Sequence, residues 1–115
     1  TSGREWNRTT KMGVNTLAFR LAQNRNFYMC DADCVGILGD NIPWEKNSQW
    51  LHLLSYSNTP LFISAPYDIS EDKKKDLKEA YNVFQNKHDI RPVDIFENRT
   101  PSQWLIDGKT VKYEW

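Results

Sequence analysis

Apolar residues along this chain fall into two rhythms. Between Thr10 and Asn24, Val14, Leu17, Ala18 and Leu21 lie at i, i+3, i+4 and i+7, the spacing of a helix with one buried face. A second helix is predicted from Asn41 and Pro43 through Trp50, Leu51 and Leu54 to about Ser57, where Asn58-Thr59-Pro60 stops it. A third opens at Ser70, a good N-cap, with Glu71 and Asp72 suited to the positive end of its dipole. Leu77, Ala80, Tyr81 and Phe84 give it an apolar stripe. Between these helices stand two short apolar runs, Phe27-Tyr28-Met29-Cys30 and Leu61-Phe62-Ile63-Ser64, each fit for a buried strand. A loop through Gly36 and Gly39 follows the first run.

Helix, strand, helix, strand, helix is the order of a parallel sheet covered by helices, so the fold class expected over residues 1–88 is α/β. Two parallel strands need neighbours, and both ends of the chain read as cut from something longer. After His88 the pattern changes. Arg91-Pro92 marks a boundary, and Val93-Asp94-Ile95-Phe96 reads as a strand. Trp104-Leu105-Ile106, Asp107-Gly108 and the alternating Val111, Tyr113 and Trp115 read as a hairpin closed by a type I′ turn. Residues 89–115 are therefore expected to be antiparallel β structure, with an apolar hairpin face that needs a cover.

Composition narrows the chemistry. Lys+Arg and Asp+Glu each number 15, so the net charge is zero and no nucleic-acid partner is indicated. No apolar run approaches the ~18 residues of a membrane span. Lys73-Lys74-Lys75 reads as a solvated helix face. Gly36 and Gly39 fit neither a phosphate loop nor a dinucleotide fingerprint. Cys30 and Cys34 read as free thiols; His52 and His88 have no ligand spacing, so no metal or other cofactor is expected. Asn7-Arg8-Thr9 and Asn98-Arg99-Thr100 fit the glycosylation sequon, a triplet that also arises by chance. Of the five Trp, core filling is the expected use, with sugar stacking the alternative.

The candidate site is Asp31-Ala32-Asp33-Cys34, at the end of the first apolar run. Function in parallel barrels collects at the C-terminal ends of strands, and extended residues at i and i+2 face the same way. Both carboxylates are thus expected to face one pocket. The alternative is that Asp31 caps the following turn and Asp33 is solvated. Neighbours on one strand end approach a sugar from one side, so they do not form the opposed carboxylate pair of a retaining glycosidase.

Asp31-Ala32-Asp33-Cys34 resembles the Asn-Asp-Pro-Asp-Met segment of the α-galactosidases, retaining glycoside hydrolases of families twenty-seven and thirty-six. Trp44 follows Asp33 by 11 residues and Pro60-Leu61-Phe62 follows Trp44 by 16. Pro60-Leu61-Phe62-Ile63-Ser64 is similar to the family's Ala-Pro-Leu-Phe-Met-Ser strand, and Ile69-Ser70 to the Ile-Ser that opens its next helix. The match runs from about Phe27 to Ala80. It implies that residues 1–88 are the late β/α units of a TIM (β/α)8 barrel and residues 89–115 the start of a C-terminal β-sandwich. It also implies that Asp31, Asp33 and Cys34 contact a carbohydrate substrate, Asp33 as the sugar-contacting Asp and Cys34 in place of the family's Met. Ala32 replaces the family's Pro. No catalytic residue is assigned: the nucleophile belongs to an earlier strand, and Trp6 as the landmark puts the acid/base at or before Thr1. The expected partners are the rest of a parent barrel or a second copy. A carbohydrate-binding module using Trp44, Trp50 or Trp104, and a small α/β interaction domain without catalysis, are the competing classes.

Overall fold

The computed structural model describes residues 5–37 and 41–115. The predicted first helix is present but changes pitch as it goes: α1 (Trp6–Arg8), a π-helical stretch (Thr9–Val14), α2 (Asn15–Arg20) and a 3-10 turn (Leu21–Gln23). Val14, Leu17 and Ala18 are buried, as their spacing requires. The π stretch is occupied by Gly13. A Cβ built there would lie 2.8 Å from the Trp50 ring and 3.1 Å from the Ala32 carbonyl, so only glycine lets this helix approach so closely.

The parallel pairing expected of the chain is present, with one strand in a different place. β1 (Val35–Gly36) pairs with β2 (Ile63–Ser64), joined through α3 (Trp44–Tyr56). Val35 donates to the Phe62 carbonyl at 2.9 Å and Ile37 to Ser64 at 2.7 Å. Phe27–Cys30 is not a strand. Arg25 turns the chain at φ 63°, the Asn24 side chain accepts the Cys30 N–H at 2.9 Å, and Phe27 and Met29 stand 85% and 60% exposed. An apolar run of four residues carries no period of its own, and here the Asn24 side chain claims its backbone. The expected loop through Gly36 and Gly39 instead supplies β1 at Gly36, while Gly39 lies outside the described residues.

α3 begins just after Pro43 and ends before the Asn58-Thr59-Pro60 stop, as the sequence predicts. Trp50, Leu51, Leu53 and Leu54 are buried along it. α4 (Glu71–Phe84) packs on α3, with Ser70 in extended geometry at its N-cap but making no side-chain cap bond. Its stripe is only partly covered: Ala80 is buried, whereas Tyr81 is 55% exposed. Lys74 pairs with Glu71 at 3.1 Å and Lys73 lies over the Trp44 ring, consistent with a solvated face.

The remaining sheet is antiparallel, in the order β3 (Ile90–Pro92), β4 (Gln103–Ile106), β5 (Lys109–Lys112). Asp107 and Gly108 both have positive φ, 49° and 82°, the signature of the predicted type I′ turn. The strand expected at Val93–Phe96 is not there: Asp94 is buried and gathers residues 94–103 into a loop around its carboxylate. Nor is the hairpin face bare. Tyr113 is buried against α3, Trp115 stacks on Tyr113 with centroids 4.8 Å apart, and Trp6 sits 6.0 Å from Trp115. Gln49 of α3 exchanges two hydrogen bonds with the Glu114 backbone, at 2.7 and 3.0 Å. Helices give way to β structure after α4, and one hydrophobic cluster extends across both parts, from Val14 through Trp50 to Trp104 and Tyr113.

Candidate functional site

Asp31 and Asp33 line one cleft, of about 250 Å³, together with Ala32 and with Met12 and Thr16 of the preceding helix. They meet there by a turn rather than by the alternation of a strand. The Asp31 carboxylate accepts the Asp33 N–H at 2.8 Å, so Asp31 does cap the turn; Asp33 stands at φ 80° and accepts the Cys34 N–H at 2.8 Å. Aspartate tolerates this left-handed conformation because its short carboxylate bonds locally. The pair therefore precedes β1 instead of following a strand at Phe27–Cys30, and the argument from strand C-terminal ends does not apply to it.

The turn is held from behind. Trp50, buried in α3, donates its indole N–H to the Cys34 carbonyl at 3.3 Å. Its six-membered ring lies against Gly13, and Gly13 in turn lies against the Ala32 carbonyl. Ala32 is buried. Helix, turn and α3 thus fix the backbone from which both carboxylates project.

Cys34 is half-buried and is not among the residues walling this cleft. Burial raises its thiol pKa, and the Asp33 carboxylate beside it adds to the rise. Cys30 is buried and is also raised by desolvation, with Arg20 opposing. Both are free thiols, protonated at neutral pH, and so are poor nucleophiles and poor metal ligands. Among the described residues no cluster of histidine, cysteine or carboxylate side chains could hold a metal ion. No helix there is long and apolar enough to cross a membrane.

A larger groove, about 570 Å³, lies between α3, α4 and β5, lined by His52, Tyr56, Asp76, Glu79, Lys112 and Tyr113 among others. Sequence reasoning missed it, because Tyr113 joins His52 across 61 residues. His52 Nδ1 and the Tyr113 hydroxyl are 2.7 Å apart. Although His52 keeps an open edge, desolvation of its ring lowers its pKa, while burial pushes the Tyr113 phenol far up. A protonated phenol donating to a neutral imidazole is the pairing these shifts favour. The only trace of the groove in the sequence is the polar face of α3, Ser48, His52 and Ser55, which fits a solvated helix equally well.

Of the tryptophans offered as sugar platforms, Trp50 and Trp104 are buried and cannot stack on a ligand, and Trp44 lies under Lys73. The sequon at Asn98 is occupied by structure: its amide donates to Asp94 at 2.6 Å. No family model, curated protein or solved structure matches the chain.

Proposed function

We propose that this chain is part of an α-galactosidase-like glycoside hydrolase, contributing late β/α units of its (β/α)8 barrel through residue 88 and the first strands of a β-sandwich domain from residue 89. In this reading Asp31 and Asp33 form one edge of the sugar pocket, Cys34 next to them in the chain stays outside its wall, and the nucleophile and acid/base come from other parts of the parent. The observation that carries the reading is the shared cleft of Asp31 and Asp33, on the turn that leads into a parallel β1–α3–β2 unit. Two carboxylates that accept hydrogen bonds are suited to sugar hydroxyls, and Met12 adds an apolar surface to the same cleft. Adjacent carboxylates on one turn do not supply retaining chemistry, which needs groups on both sides of the bond. The two-stranded parallel sheet also favours a larger assembly: it has no further paired strand among the described residues, and Phe62 and Ile63 are exposed beside its edge.

The test is Asp33→Asn in the full-length hydrolase, assayed on a natural galactoside and on an activated aryl galactoside. A carboxylate that accepts sugar hydroxyls contributes about 1.5–3 kcal/mol per bond, so kcat/KM should fall about ten- to a few hundred-fold on both substrates. A loss confined to the natural substrate would make Asp33 the general acid, because only poor leaving groups need the proton. Unchanged hydrolysis of both would remove Asp33 from the site.

A second reading is a small α/β interaction domain without catalysis. The continuous cluster that joins both halves of the chain favours it, as does a radius of gyration of 13.4 Å, the size of an independently packed domain of this length. Sedimentation distinguishes the two. A lone monomer that binds no sugar supports the interaction domain, and self-association through the open strand edge supports the barrel reading.

A further inference from the structure

The three parts of the fold meet at His88. Its backbone N–H donates to the Asn58 side chain at 2.8 Å, and the Asn58 amide returns a bond to the His88 carbonyl at 2.7 Å, which ties the residue to the turn after α3. Its ring does the rest. Nε2 lies 2.7 Å from the Val83 carbonyl, in the last turn of α4, and Nδ1 lies 2.7 Å from Oδ2 of Asp107, in the β4–β5 turn. Both of these partners can only accept. A neutral imidazole has one N–H and one lone pair, so it can satisfy one of them and must set its lone pair against the other. An imidazolium donates to both.

We propose that His88 is a proton-operated clasp, closed as an imidazolium that joins the C-terminal end of α4 to the β4–β5 turn and opened when that proton leaves. The surroundings agree. Asp107 is held in place by exchanging bonds with Asp89: its Oδ1 accepts the Asp89 N–H at 2.9 Å and its own N–H donates to the Asp89 carbonyl at 2.8 Å. The α4 terminus carries the negative end of the helix dipole, which also favours a cation. From α3, the Tyr56 ring packs edge-on against His88 at 4.6 Å. Among the described residues the titratable groups against the ring are thus Asp107 and Tyr56; α4 presents the Val83 carbonyl and the turn after α3 the Asn58 amide. Desolvation alone would lower the pKa of His88, but the Val83 carbonyl and the Asp107 carboxylate outweigh it and leave it raised.

The sign follows. A histidine whose folded pKa is raised contributes stability that is complete below its unfolded value, 6.5, and is lost as pH rises through the folded pKa. Asp107 is lowered, first by the Asp89 N–H and then by His88, so its side of the clasp fails only as pH falls below the ordinary carboxylate range. The clasp is closed between those limits. Opening it would free the β3–β5 sheet from the end of α4 while leaving the core contacts of Tyr113 and Trp104 in place.

The experiment is a pH titration of the labelled chain by NMR, following the His88 ring protons together with hydrogen exchange at the amides of residues 85–89 and 107–109. His88 should titrate above 6.5, and the protection of those amides, taken relative to their base-catalysed intrinsic exchange at each pH, should fall roughly tenfold through the same pH range, the ratio for losing one hydrogen bond. Asp107→Asn supplies the control. Its amide can donate to a neutral Nδ1 while its oxygen keeps the Asp89 bond, so the His88 pKa should fall and the junction should stay closed above it. Titration of His88 at or below 6.5, or exchange that ignores that titration, overturns the proposal. So does an Asp107→Asn variant whose His88 titrates as in the wild type.

Discussion

The buried carboxylate of Asp94 is the most exacting test of how the β half is held together. The residue is 3% exposed and its carboxylate accepts four hydrogen bonds: from the Gln103 N–H at 3.0 Å, the Ser102 N–H at 3.2 Å, the Ser102 hydroxyl at 2.9 Å and the Asn98 amide at 2.6 Å. Burial on its own would raise its pKa. The donors overcome that and bring it from 3.8 to about 2. A fall of that size corresponds to about 2 kcal/mol of stability. Because the folded pKa is depressed, this contribution is present above 3.8 and is lost as pH falls through about 2. Asp94→Asn keeps the shape but removes the charge, and points an amide donor at the Ser102 or Asn98 donors. It should cost about 2–3 kcal/mol at pH 7. Urea unfolding followed by tryptophan fluorescence measures this near the site, since buried Trp104 donates its own indole N–H to Pro101 within the same loop. The gap between wild type and variant should narrow as pH is lowered from 5 toward 2. Equal midpoints at pH 7, or a gap as wide at pH 2.5 as at pH 7, would refute the assignment.

Two further outcomes follow from the structure and the proposed function. Gly13→Ala should destabilise the chain by about 1–3 kcal/mol in the same unfolding assay, because the new methyl meets the Trp50 ring at 2.8 Å and the Ala32 carbonyl at 3.1 Å; a neutral result would mean that the helix slides freely past α3. The isolated chain should not hydrolyse nitrophenyl α-galactoside above a blank, since Asp31 and Asp33 approach from one side only; measurable turnover would show that a complete acid–nucleophile pair lies within it.

What the sequence disclosed was local chemistry. Pro43 and the Asn58-Thr59-Pro60 stop bracket α3 because proline's missing N–H and fixed φ act within a few residues, and Asp107-Gly108 dictates its turn for the same reason. The shared cleft of Asp31 and Asp33 was also legible, though it arises from a turn and not from the strand that suggested it. Phe27–Cys30 misled because Phe27, Tyr28 and Met29 are exposed and only Cys30 is buried, while the true strand, Val35–Gly36, is two residues long and contains a glycine. Asp94 looked like a flaw in a strand and is instead the centre of a loop. His52 with Tyr113, and His88 with Asp107, could not be paired from sequence, since the partners stand 61 and 19 residues apart and neither spacing has a local signature.

The two sheets differ most in what must happen before they can exist. In the hairpin, Ile106 faces Lys109 across two residues, whereas Val35 reaches Ile63 only after 27 have been brought round. Loop-closure entropy alone separates these events by about 2 kcal/mol. A hairpin zips in roughly 1–10 μs, while the parallel pair must wait until α3 has formed and turned the chain back. The order of assembly therefore runs against the order of synthesis. Of the two pairings, the one made later is the first able to settle, and the Tyr113 and Trp115 rings on the finished hairpin give α3 a surface to condense on. Removal of the β4–β5 hairpin would then slow the pairing of β1 with β2, which it never touches.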